Sequence, residues 1–381
     1  MASIRPQNGR TSYHSAWQFT RNGDPNPKPK PPSRLSFSSF ANSYSVPGTA
    51  AASLSASAAV ADWNKPIVVV GSANADIYVE IDRLPKEGET VAARTGQTLA
   101  GGKGANQACC TARLAHPTYF VGQIGDDAHG HLIENALRRS GVRLDHLARI
   151  AAAPTGHAVV MLQPDGQNSI IIVGGTNMCW WPEAVRGEDL NLVRTAGVVL
   201  LQREIPDRVN IEVAKAAKNA GVPVIIDAGG VEDPIPTELI ETVDILSPNE
   251  TELGRLTRMP TDTFEQINQA SKKCHEMGAK QVLVKLGSKG SALFINGEEP
   301  IRQPIIPASK VVDTTGAGDT FTAAFAVALV EGMTRKDCLE FAAAAASLCV
   351  QVKGAMPSMP ERKGVLELLQ SLKFRRDHAS L

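Results

Sequence analysis

VVLLQREIPDRVNIEVAKAAKNAGVPVIID, residues 198–227, holds one complete strand–helix–strand unit. Val198–Leu201 is a continuous apolar run, the pattern of a strand buried on both faces. A helix follows over Asp207–Ala220 and stops at Gly221, and Pro223–Asp227 is a second buried strand. Downstream the alternation continues with a strand at Val243–Ser247, the turn Pro248-Asn249, a helix over Phe264–Met277 ending at Gly278, and a strand at Gln281–Leu286. Upstream, Ile67–Gly71 and Thr118–Gly122 read as strands. Gly104–Leu114 and His129–Ser140 read as helices, the latter closed by Gly141. Strands alternating with helices imply right-handed crossovers and a mostly parallel sheet covered on both faces, an α/β protein with three α/β/α layers. The stretch Ile77–Arg94 alternates more openly around turns at Leu84-Pro85 and Glu87-Gly88, and is expected to form a small exposed sheet.

Ligands of such sheets bind at the carboxyl ends of the strands. The polar residues that fall there are Asn74, Asp76, Glu204, Asp227, Asn249 and Glu252, followed by Gly287. Formal net charge is zero, so nothing suggests a broad grip on nucleic acid or an anionic membrane. No run of eighteen apolar residues occurs. The six cysteines form no CxxC or zinc-like spacing, and structural, reduced thiols are expected. The doublet Trp180-Trp181 is expected to pack.

Residues 1–62 differ in kind. They contain twelve serines and six Lys/Arg, and Asp24 is their one acid before Asp62. Pro25–Pro32 blocks regular structure. Basic, Ser-rich and acid-poor composition resembles a chloroplast transit peptide and places the folded part in the plastid stroma. A disordered cytosolic tail and a mitochondrial presequence are the alternatives. The folded domain is expected over 63–370, with a tail at 371–381.

Three motifs carry chemistry. In Asp313-Thr314-Thr315-Gly316-Ala317-Gly318-Asp319-Thr320, two glycines let the backbone turn tightly before the apolar helix Phe321–Glu331. N–H groups and a helix dipole then converge into an anion hole, and Asp319 beside it can accept a proton from an attacking hydroxyl. Capping of the helix is the simpler reading of that carboxylate. Gly101-Gly102-Lys103-Gly104-Ala105-Asn106-Gln107-Ala108 allows close approach of backbone to ligand, and Asn106 suits a sugar hydroxyl. Its spacing is not that of a Walker A loop. Gly71-Ser72-Ala73-Asn74-Ala75-Asp76 presents an amide and a carboxylate to one side of a strand end, or an Asx turn.

These motifs, with VGQIGDDAHG, DILSPNETE, VKLGSKG and KGAMPSMP in the same order, resemble the ribokinase branch of the PfkB carbohydrate kinase family over about residues 66–360. The resemblance implies a ribokinase-like fold with a β-sheet lid at about 77–95, and transfer of the γ-phosphoryl group of ATP to ribose. The form GGKGANQA favours ribose over fructose. It implies sugar contacts from Asn74, Ala75, Asp76, Gly102, Lys103, Gly104, Asn106 and Glu204, with Asp319 as base and Gly316, Ala317 and Gly318 as anion hole. Asn249 and Glu252 match an element associated with nucleotide and Mg2+. Lys285, Leu286, Gly287, Ser288, Lys289 and Gly290 match a loop beside ATP, which Gly318 and Asp319 also touch. Asp313, Thr315, Cys349, Val352, Gly354 and Ser358 match a site for activating K+. A homodimer formed through the lid is the further expectation. Ala342 and its surroundings lack a polar residue that some relatives place near the adenine.

Overall fold

The computed structural model describes residues 65–164 and 168–379. The expected transit peptide lies outside the described residues. In chain order the strands are β1 (Ile67–Val70), β2 (Asn74–Glu80), β3 (Thr95–Gly101), β4 (Thr118–Gly125), β5 (Leu147–Ile150), β6 (Gly156–Leu162), β7 (Asn168–Val173), β8 (Val198–Arg203), β9 (Val224–Gly230), β10 (Ile245–Ser247), β11 (Gln281–Lys285), β12 (Ser291–Ile295) and β13 (Ile301–Gln303). The helices are α1 (Lys103–Arg113), α2 (Ala128–Arg139), α3 (Gly187–Arg194), α4 (Asp207–Asn219), α5 (Thr237–Thr242), α6 (Glu250–Thr257), α7 (Phe264–Glu276), α8 (Ala317–Val330), α9 (Arg335–Cys349), α10 (Ala355–Ser358) and α11 (Arg362–Ala379).

Nine strands form one sheet in the order β13-β12-β11-β10-β9-β8-β1-β4-β5. It is parallel from β11 to β5, and β12 and β13 close one edge in antiparallel fashion. Alternate residues of each central strand enter different cores. Ile67, Val69, Val198 and Leu200 pack with α1, α2, α8 and α9. Val68, Val70, Val199 and Leu201 pack with α3, α4, α5, α6 and α7. Burial on both faces is why these strands read as unbroken apolar runs. Helix α8 is apolar around most of its circumference because it is sandwiched: Phe321 through Ala328 are all buried. Ala323, Ala324, Ala342 and Ala345 belong to the same core and let α8 and α9 approach closely.

The second sheet has four strands, β3-β2-β6-β7. The exposed sheet expected at 77–95 is therefore larger and differently built. Residues 81–94 hold no strand, while residues 156–173 supply half of it. Parallel pairing of β2 with β6 extends the sheet beyond what one hairpin provides. The expected tail at 371–381 also differs, since α11 runs through residue 379 and Leu368, Leu369 and Leu372 pack on the core. Trp181 is buried with its indole N–H donating to Asn177 O at 2.8 Å, whereas Trp180 is 61% exposed, contrary to the expectation that both pack. Five of the six thiols are buried, and Cys179 is exposed. No helix among the described residues is long and apolar enough to cross a membrane.

Candidate active site

Two clefts open at the carboxyl edge of the large sheet and meet at one point. One, of about 790 Å3, lies under the small sheet and is lined by Asn74, Asp76, Gly102, Lys103, Asn106 and Glu204. The other, of about 660 Å3, is lined by Asn249, Glu252, Lys285, Gly287, Ser288 and Gly318. Lys103, Gly316 and Asp319 line both.

The junction is the first turn of α8. Gly316 sits at φ 80° as its N-cap, a left-handed conformation that a side chain would strain. Ala317 N and Thr320 N donate back to Thr314 O and Gly316 O. The N–H groups of Gly318 and Asp319 have no acceptor among the described residues, and no side chain caps the helix. Asp319 therefore does not cap α8. Its Oδ2 accepts from Asn106 Nδ2 at 2.9 Å, its Oδ1 from Gln107 Nε2 at 3.4 Å, and Lys103 Nζ lies 3.9 Å away. Burial raises the Asp319 pKa against the opposing pull of Lys103. Asn106 Oδ1 is buried without a partner, an acceptor left for a ligand hydroxyl.

Lys103 opens α1, where burial works against its ammonium. Asp227, Asp319, Glu204 and Glu252 outweigh that effect and hold its pKa above the ordinary value. Glu204 accepts from Ser72 Oγ at 2.5 Å and from Lys103 N at 3.1 Å. Asn74 Oδ1 accepts from Asn177 Nδ2 at 2.7 Å, and Asn177 also exchanges hydrogen bonds with the backbone of Ala73. Asn74 and Asp76, two residues apart on β2, both line the cleft. Ala75, between them on the alternating strand, does not line it, nor does Gly104, which is buried in α1.

In the second cleft, Asn249 and Glu252 are first engaged with each other. Asn249 Oδ1 accepts from Glu252 N and Asn249 N donates to Glu252 Oε2, both at 2.8 Å, a capping box for α6. Glu252 Oε1 remains toward Gly229 and Lys103. Of the loop 285–290, Lys285, Gly287, Ser288 and Gly290 line the cleft. Leu286 faces the core and Lys289 turns outward to Glu250 at 3.0 Å, so neither lines it, contrary to the sequence expectation. Ser347 of α9 also lines this cleft with its hydroxyl unpartnered.

The six residues expected around a cation gather behind the α8 turn. Asp313 accepts from Thr315 N at 2.9 Å and Gly354 N at 2.8 Å, and Cys349 Sγ lies 3.0 Å from Ser358 Oγ and 4.0 Å from Thr315 O. Val352 N donates to Cys349 O, and its side chain is exposed. Sequence motifs missed Gln107, Asn177, Asp227 and Ser347 as site residues. Asp227 carried a signal as a carboxylate at a strand end, and Gln107 stood within the GGKGANQA motif.

Asp76, Glu204 and Asp319 form a like-charged group. Burial chiefly, then Glu204 and Asp319, raise the Asp76 pKa to about 7. Between its ordinary value and that one, the folded chain holds a proton that the unfolded chain has lost, so this group's stability contribution falls as pH rises through the window. The stabilisation by Asp76→Asn should be greater at pH 8 than at pH 5 by on the order of 3 kcal/mol, measured by denaturant unfolding. Equal effects at both pH values would contradict the assignment.

Residues 64–362 match the pfkB family of carbohydrate kinases. A ribokinase of Arabidopsis thaliana is 72% identical over 307 residues, covering 80% of this chain and 81% of that protein. The ribokinase of Bacillus subtilis is 39% identical over 303 residues, covering 80% and 99%. The solved structure of Arabidopsis thaliana ribokinase complexed with ribose and ATP superposes with a TM-score of 0.78, covering 80% of this chain and 98% of the other at 72% identity. With its family motifs converging on one pair of clefts, the chain belongs to the pfkB family of carbohydrate kinases.

Proposed function

We propose that the chain transfers the γ-phosphoryl group of ATP to the primary 5-hydroxyl of D-ribose. The carrying observation is Asp319, a buried carboxylate of raised pKa at the junction of two clefts, beside unpartnered N–H groups at the start of α8. In this reading ribose occupies the cleft of Asn74, Asp76, Lys103, Asn106 and Glu204, and ATP the cleft of Lys285, Gly287 and Gly318. The relative of known structure holding ribose and ATP supports that pairing of ligands.

Phosphoryl transfer depends on positioning and charge neutralisation more than on covalent help from the protein. Asp319 accepts the hydroxyl proton, aided by its raised pKa and held by Asn106 and Gln107. Gly316, Ala317 and Gly318 shape the turn that receives the transferring group. Glu252 Oε1 and the Asn249 segment are the residues that would hold Mg2+, which when bound would further neutralise the phosphates. One carboxylate with neighbouring carbonyl and hydroxyl oxygens is a donor set of low charge, and it suits K+ at Asp313, Thr315, Cys349, Val352, Gly354 and Ser358. Such a cation would fix the backbone immediately before the α8 turn.

The small sheet acts as the lid that excludes water. Its edge strand β7 exposes Ile170, Ile171, Ile172 and Val173; Ile170 and Ile172 face the cleft, and Ile171 points to the other face. That second apolar face supports a homodimer through the lids. Sedimentation should give a dimer for the native chain and a monomer for Ile171→Glu; a native monomer would contradict the dimer. Residues 1–62 are proposed to direct import into the chloroplast stroma. A fluorescent protein fused behind them should enter plastids, and cytosolic or mitochondrial signal would overturn this.

Asp319→Asn preserves shape and removes the base. Turnover of ribose with ATP should fall by about 10² or more, with folding retained. Addition of K+ should raise native turnover. Near-native turnover in the purified variant would remove Asp319 from the role of base.

A further inference from the structure

Asp227 is the one buried carboxylate at the junction of the clefts to which no motif gives a role. It stands near the end of β9, between Gln202 of β8 and Ser247 of β10, with a side chain 1% exposed. Its Oδ2 accepts from Lys285 Nζ at 2.6 Å and from Thr322 Oγ1 at 3.3 Å. Its Oδ1 accepts from Gly229 N at 2.9 Å and lies 3.8 Å from Lys103 Nζ. The two lysines come from separate elements, one from the start of α1 and the other from the end of β11, and both line the nucleotide-side cleft.

Local packing fits this convergence. A Cβ at Gly229 would come within 2.7 Å of Lys103 Nζ, so the backbone is bare where that ammonium passes. A Cβ at Gly318 would lie 3.9 Å from Lys285 Nζ, which puts the second ammonium beside the α8 turn. Lysine is a flexible point charge, and a buried carboxylate removes its freedom before any ligand arrives. Burying that carboxylate is itself unfavourable without cations, so the three groups are stable only together.

We propose that Asp227 is a positioning residue that holds Lys103 beside Asp319 and Lys285 beside the Gly318 turn of α8, ready for the anionic phosphoryl group in transfer. This rests on the phosphoryl-transfer reading. Asp227 touches neither reactant; it acts through the two ammonium groups.

The test uses the full chain and Asp227→Asn, which keeps the shape and removes the charge. Expected are a fall of about tenfold or more in kcat/KM for ATP and a parallel loss of ATP affinity by calorimetry. A merely structural Asp227 would lower thermal stability while leaving kcat/KM and affinity for ATP at native values, and that result overturns the proposal. Should Asp227→Asn fail to fold, Lys285→Met should lose ATP affinity about tenfold and Lys285→Arg should recover most of it; native affinity in Lys285→Met is the overturning result. Should the native chain turn over no sugar, the phosphoryl-transfer reading fails separately. The calorimetric arm still decides: native ATP affinity in Asp227→Asn, or no ATP binding by the native chain, overturns the role of Asp227.

Discussion

An ammonium group, Lys103 Nζ, stands 3.8 Å from Asp227 and 3.9 Å from Asp319, two carboxylates that are almost wholly withdrawn from water. Charges so placed are tolerated only when cations and hydrogen bonds replace the lost hydration. The surrounding fold supplies both. Asn106 and Gln107, one turn into α1, donate to Asp319, while Lys285 and Gly229 N satisfy Asp227. Gln107 is itself held by Gln202 at 2.8 Å, which ties the cluster back to β8. The contrast in outcome follows from the neighbours. Burial would raise the pKa of both carboxylates. Lys285 and Lys103 together bring Asp227 down to about 2, whereas Asp319, with Asp227 and Glu204 nearby, stays raised. One of the pair is thereby favoured as an anion and the other is suited to take a proton.

The same constraint links the two sheets. Asn74 begins β2 of the small sheet, yet it is pinned by Asn177 from the segment that follows β7. Asn177 also bonds to Ala73 on both its N–H and its C=O, and its own carbonyl receives Trp181 Nε1. The chain thus leaves and re-enters the small sheet at neighbouring points that are tied together.

The parallel core was legible because burial on both faces leaves only apolar residues to choose from. Val198–Leu201 and Ile67–Val70 announce themselves, and the glycine stops at Gly141, Gly221 and Gly278, all at positive φ, mark their helix ends. The small sheet was half legible. Its strand β2 lay in a motif, but its parallel partner β6 is far along the chain, and nothing local in residues 156–173 states that β2 is the neighbour of β6. The site divided along the same line. Asp319, Lys103 and Asn106 sit in glycine-marked turns whose geometry needs an unusual sequence. Asp227 acquires its partners from Lys285, 58 residues further along, and from α1, so its setting exists only in the folded chain. Leu286 and Lys289 were misplaced because a loop motif names consecutive residues, while a 3-10 turn at Gly287–Lys289 sends them to opposite sides.

Phosphorylation by the full chain, with ATP, Mg2+ and K+ and with ribose, 2-deoxyribose, fructose or adenosine as competing acceptors, tests the central claim most directly. Ribose should be preferred and should be phosphorylated on its 5-hydroxyl. Preference for another acceptor would contradict the ribose assignment and leave the kinase. A folded chain that phosphorylates none of them would contradict catalysis at Asp319 altogether.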